Sequence, residues 1–174
     1  MLKKGDLYFG AVLSFMINHK IAPAIVEPGE KRRVYSIEND RGRFQLFIKY
    51  AVKKKNLLKS DERKRKDEIN VLWNFEFNLS EIEQFVKMDN LNQEVLLVLL
   101  AVHEKYDESE IAVLDYNQAK ELFAQDYKHD KRRITVKREG QDHRLLVYGT
   151  GLQDLQALVI SRHLLVEKLS PDME

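Results

Sequence analysis

No cysteine occurs among the 174 residues, so disulfides, a thiolate nucleophile and a cysteine metal cluster are all excluded. That absence fits a reducing compartment. Long apolar runs are missing as well. The longest, VLLVLLAV from Val95 to Val102, is far short of the roughly 18 to 20 apolar residues a membrane span requires, and it reads as a buried strand. The first twenty residues, MLKKGDLYFGAVLSFMINHK, have a basic start and an apolar middle. That middle is broken by Gly10, Ser14 and Asn18 and ends in no small-residue cleavage pattern. The expectation is a cytoplasmic chain with no membrane partner.

Several catalytic signatures are also lacking. Neither G-x-G-x-x-G nor a Walker A sequence occurs, and YGTG, Tyr148 to Gly151, is too short for a dinucleotide fingerprint. None of the seven serines lies in G-x-S-x-G. His19, His103, His129, His143 and His163 are dispersed, with no H-x-x-x-H pair. Of these, His103, which closes the buried strand beside Glu104, is the one worth inspecting.

What is present is charge, unevenly placed. The net charge is +1, yet the window Lys31 to Lys66 holds 14 Lys or Arg against four Asp or Glu, a surplus of ten that leaves −9 on the remainder. Its densest part is the loop at about 53–68, whose Lys53, Lys54, Lys55, Lys59, Arg63, Lys64, Arg65 and Lys66 are the candidate nucleic-acid contacts. A solvated loop or an oligomer contact would account for the same charge.

The length suits one domain over 1–174, with a frayed end at 170–174. Apolar spacing predicts a first helix from Leu7 to Lys20, stopped in the region Pro23 to Gly29. RRVYSIEND and RFQLFIKYAV form a hairpin around Asn39 to Gly42. VLWNFEF is a strand with Trp73, Phe75 and Phe77 on one apolar face, better suited to a core than to base stacking; Phe47, on the polar side of its strand, is the exception. SEIE predicts a capping box between Ser80 and Glu83 that opens a helix to about Met88. EVLLVLLAVHE has no alternation, as a strand covered on both faces should not. IAVLDY is another strand, Asp115 and Gln118 cap a short helix, and RRITVKREG with HRLLVYGTG makes a second hairpin. A last helix is predicted from about Asp154 to Lys168. The fold class is α/β or α+β, a mixed central sheet with helices on both faces.

This order, with Glu27 after the first helix, Asp40 in the hairpin and Lys49 on the following strand, resembles the restriction-endonuclease-like superfamily over roughly Leu7 to Val102. In that family a helix carries an acidic residue, an antiparallel hairpin supplies Asp and Glu-x-Lys, and a further strand, helix and strand complete the core. The resemblance implies Lys49 as motif lysine, Asp40 as metal-binding aspartate and Glu27 as helical carboxylate, with Mg²⁺ or Mn²⁺ as cofactor if catalysis is retained. Phe47 stands where the motif has an acid. Either the chain is inactive, or Glu38 or Glu76 substitutes, giving Asp40, Lys49 and Glu38 as catalytic and Glu27, Asp40 and Glu76 as metal-binding candidates. Without catalysis, Glu38 and Lys49 form a cross-strand ion pair and Asp40 is a turn former.

Three classes of function follow. One is a non-catalytic domain of nuclease-like ancestry binding nucleic acid or a protein through residues 31–66. The second is a Mg²⁺- or Mn²⁺-dependent nuclease with a rearranged site. The third is a structural protein forming a homo-oligomer.

Overall fold

The computed structural model describes residues 1–27, 32–53, 70–89, 92–124, 131–140, 142–150 and 156–171. Helix α1 (Lys4–Asn18) turns Phe9, Val12 and Met16 inward. It ends in a Schellman motif, with the amides of Lys20 and Ile21 donating to the carbonyls of Ile17 and Met16. Lys20 takes the left-handed conformation, φ 61°, that this motif demands. The chain then enters β1 (Pro23–Glu27), an edge strand antiparallel to β2 (Arg32–Asn39). Proline is tolerated at such an edge because no neighbour needs its amide. Glu27 therefore lies at the end of a strand, opposite Val34, and not at the end of the first helix.

The expected hairpin is present. β2 pairs with β3 (Gly42–Val52) around Asp40 and Arg41, and Gly42 at φ 131° holds a conformation other residues resist. β5 (Glu94–Val102) runs parallel to β3, and β6 (Glu110–Asp115) closes a mixed five-stranded sheet of order β1-β2-β3-β5-β6. β4 (Asn70–Asn78) does not join it. It pairs with β7 (Lys131–Glu139), which with β8 (Arg144–Gly149) and β9 (Leu158–Ser161) builds a second, four-stranded antiparallel sheet.

Strand alternation divides the interior into two cores. Leu46 and Ile48 of β3 and Leu96, Val98 and Leu100 of β5 face α1 and the short helix α4 (Leu164–Leu169). Phe47, Leu97 and Leu99 face the other way, onto Trp73, Phe75 and Phe77 of β4 and Ile134 and Val136 of β7. This second core also takes Phe85 of α2 (Leu79–Lys87) and Leu122 and Phe123 of α3 (Tyr116–Ala124). The central mixed sheet thus has helices on both faces, and β5 is covered on both, which explains its unbroken apolar sequence. Burying one such side chain contributes about 1.5–3 kcal/mol. Phe47, expected on a polar face, is fully buried because that face meets the second sheet.

Two local expectations shift. Helix α2 begins two residues early, capped by Asn78, whose Oδ1 accepts from the amide of Glu81 at 2.8 Å while the Glu81 carboxylate accepts from the amide of Asn78 at 3.0 Å. Ser80 and Glu83 are inside the helix. The predicted last helix is replaced over Leu158–Ser161 by β9, and among the described residues of that stretch the α-helix is Leu164–Leu169. The cap of α3 is as expected: Asp115 Oδ1 accepts from the Gln118 amide and Gln118 Oε1 from the Asp115 amide.

Candidate functional site

Where β3 leaves the central sheet, β4 starts the other, and a single carbonyl binds both. The oxygen of Val102 accepts from the amide of Lys53 at 3.0 Å and from the indole Nε1 of Trp73 at 2.8 Å. Trp73 is 1% exposed, so this bond stays dry. Beside this corner opens a cleft of about 890 Å³. One wall is Lys49 to Val52; the other passes over β4 and carries Asn74, Glu76 and Asn78, then Lys131, Arg133 and Thr135 of β7 and Tyr148 of β8. Registry accounts for the second wall: the apolar residues of β4 and β7 point into the core, so the alternate ones are displayed outward, with Thr135 opposite both Asn74 and Tyr148.

The cleft contains a buried ion pair. Lys49 Nζ donates to both carboxylate oxygens of Glu81 at 2.7 Å and sits 4.6 Å from the centre of the Phe77 ring. Lys49 and Glu81 are 7% and 8% exposed. β3 aims Lys49 toward the second sheet, on the same side as Phe47, and the capping role of Glu81 fixes the carboxylate that meets it. Glu76 is exposed and faces Lys131 at 3.6 Å, and Thr135 donates its hydroxyl to Asn74 Oδ1 at 2.9 Å.

Of the sequence candidates, the structure brings Lys49 and Glu76 to this cleft and leaves the others elsewhere. Asp40 is exposed in the β2–β3 turn, beyond the start of β3 at Gly42, which is itself seven residues from Lys49, or roughly 24 Å at the strand rise. Glu38 is exposed and pairs with Arg43 at 3.1 Å, so the cross-strand pair with Lys49 does not form; the residue across from Lys49 is Arg32. Glu27 is on edge strand β1. Among the described residues no three His, Asp or Glu side chains converge to hold a metal ion. His103 is a turn residue: its Nδ1 accepts from the amide of Lys105 at 3.1 Å. Gly151 and the four residues after it lie outside the described residues.

Of the nucleic-acid candidates Lys53 is described; Lys54, Lys55, Lys59, Arg63, Lys64, Arg65 and Lys66 lie outside the described residues, as does the rest of the charged loop up to 69. The basic residues on the strands have internal partners. Arg33 bonds Asp6 at 2.6 Å and covers the Phe9 ring, Arg41 donates to the carbonyls of Glu167 and Lys168, and Arg32 lies over Phe47. These described basic residues of the window are therefore engaged within the fold.

A second ionic cluster ties the two sheets. Glu110 of β6, 4% exposed, accepts from Arg138 of β7 at 2.9 Å and from Arg162 after β9 at 2.8 Å. Neighbouring Glu108 also meets Arg138, and its carboxyl is held below the usual range chiefly by its bond from Lys105. Sequence inspection missed Glu81 and Glu110 because the partner of each is distant in the chain. The Asn78-x-x-Glu81 spacing was the available signal for the first.

No described helix is long and apolar enough to cross a membrane. Compared with protein-family models, curated proteins and solved structures, the chain matches none.

Proposed function

We propose that this chain is a non-catalytic domain that binds nucleic acid through the basic segment Lys53 to Lys66. The observation that carries this reading is the double bond-acceptance of the Val102 carbonyl. It pins the departure of the segment at Lys53 and its return into β4 to one point at the edge of the cleft. The lysine and arginine content of the segment suits phosphate contacts. Arg33, Arg41, Arg43 and Lys49 are engaged within the fold, and the proposal assigns the ligand to the segment. Nuclease-like ancestry stays part of the proposal on the order α1, β1, β2–β3 hairpin, β4, α2, β5, in which β1 is an added strand and β4 pairs outside the central sheet.

Fluorescence anisotropy with labelled DNA and RNA tests the reading. The affinity should fall steeply with salt, and replacing Lys53, Lys54, Lys55 and Lys59 by alanine should reduce the slope of log K against log salt by about three. Absence of binding at low salt would refute it.

The presence of Lys49 and Glu76 in one cleft favours a second reading, a Mg²⁺- or Mn²⁺-dependent nuclease with a rearranged site. Metal-dependent cleavage of labelled DNA or RNA that disappears in Lys49→Ala and in Glu76→Gln would establish it. Cleavage unaffected by Glu76→Gln would remove it.

A further inference from the structure

We propose that the cleft is a site for single-stranded nucleic acid, with phosphates on Lys131 and Arg133 and a base stacked on Tyr148. This rests on the nucleic-acid reading above and names the form of its ligand. None of these three residues belongs to the basic window that the sequence singled out.

The chemistry follows from β7. Its alternation places Ile134 and Val136 in the core, so Lys131, Arg133 and Thr135 stand on the opposite face of the four-stranded sheet. Tyr148 is across from Thr135 and lines the same cleft. An aromatic ring among cations on a polar sheet face combines the two elements of single-strand recognition, a stacking surface and charge for the backbone. The carboxylates present do not cancel that charge. Among the described residues of the cleft, Glu81 has both oxygens engaged by Lys49 and Glu76 faces Lys131, which leaves the guanidinium of Arg133 in excess. The hydroxyl of Thr135 donates to the oxygen of the Asn74 amide, whose nitrogen is a donor of the kind a base carbonyl accepts.

Duplex fits poorly. Its bases are already stacked and paired, so a side-chain ring cannot receive one without unstacking it, which costs a few kcal/mol per step. An unpaired strand does not carry that cost.

The test is anisotropy with fluorescein-labelled oligothymidine and the matching duplex, on the full chain and on Arg133→Ala, Tyr148→Ala, Tyr148→Phe and the four-lysine segment variant, each checked by circular dichroism. Single strand should bind about tenfold or more tighter than duplex. Arg133→Ala and Tyr148→Ala should each weaken single-strand binding about tenfold and leave duplex binding unchanged, while Tyr148→Phe retains it. If Tyr148→Ala does not fold, Tyr148→Leu, which keeps bulk without a ring, serves instead. Equal binding of both forms, or no effect of Arg133 and Tyr148 while the segment variant loses affinity, overturns the cleft proposal and leaves the broader reading standing. No binding of either form at low salt overturns both.

Discussion

Lys49 on β3 and Glu81 on α2, 32 residues apart in sequence, meet with both carboxylate oxygens 2.7 Å from one ammonium. The same carboxylate accepts the amide of Asn78 at the start of α2. One side chain thus caps a helix and neutralises a cation that β3 buries, so the position of α2 and the charge balance of the cleft depend on each other. Removing either partner leaves the other charge desolvated without this counter-ion. Glu81→Gln should therefore destabilise the protein by about 3–5 kcal/mol, and the double replacement Lys49→Met with Glu81→Gln should recover much of that loss. Urea unfolding at constant m-value measures it. A single-variant cost below about 1 kcal/mol would show that the pair is effectively solvated.

The cap itself gives a sharper comparison. Asn78→Ala should cost about 1 kcal/mol, because it removes the acceptor for the Glu81 amide. Ser80→Ala, one turn position further on and exposed, should change stability by less than about 0.5 kcal/mol. Thermal denaturation of the two variants distinguishes the boundaries, and the reverse order would place the helix start at Ser80.

Glu110 and Glu94 make a third contrast. Glu110 is buried between Arg138 and Arg162, whereas Glu94 forms a more exposed pair with Lys168. Glu110→Gln should cost about 3–5 kcal/mol and the loss should persist in high salt, while Glu94→Gln should cost about 0–1 kcal/mol and lose even that as salt screens it. Denaturation midpoints at two ionic strengths read both.

Acid should weaken the fold through Asp6, Asp142 and Glu108, whose carboxyls are all held below their ordinary range. The main causes are the Lys3 amide for Asp6, the Arg144 amide for Asp142 and the Lys105 ammonium for Glu108. For each, the folded state binds a proton less readily than the unfolded chain. The resulting stability is present above the ordinary carboxylate pKa, about 4, and is lost as pH falls through the lower folded value. Asp6→Asn should lower the melting temperature at neutral pH and flatten its decline between about pH 5 and pH 2. An unchanged acid limb would show that Asp6 carries none of it.

Lys20 offers a gain. It occupies a left-handed position closing α1, where glycine has no Cβ to strain. Lys20→Gly should stabilise by up to about 1 kcal/mol, read as a raised melting temperature.

Local patterns in the sequence were enough for much of the fold. The β2–β3 hairpin follows from alternation on either side of Asn-Asp-Arg-Gly, the Asp115–Gln118 cap from a spacing of three, and β5 from an apolar run with no polar side. The run around Leu158 to Val166 satisfied a helical spacing equally well, and became β9 only because β8 offered an unpaired edge. Glu83 and Glu81 are alike as acids near a helix start, and the choice between them depended on where β4 ended.

Sequence by itself determined which residues alternate, where the chain turns and that lysine is crowded between Lys53 and Lys66, since each depends on neighbours a few positions apart. Only tertiary structure decided that β4 would leave the central sheet, that Lys49 would face Glu81 and not Glu38, and that Asp40 would lie at the far end of the hairpin. Those outcomes depend on strand pairing and sheet stacking between distant segments, where many registers satisfy the local pattern and burial of the shared core selects one.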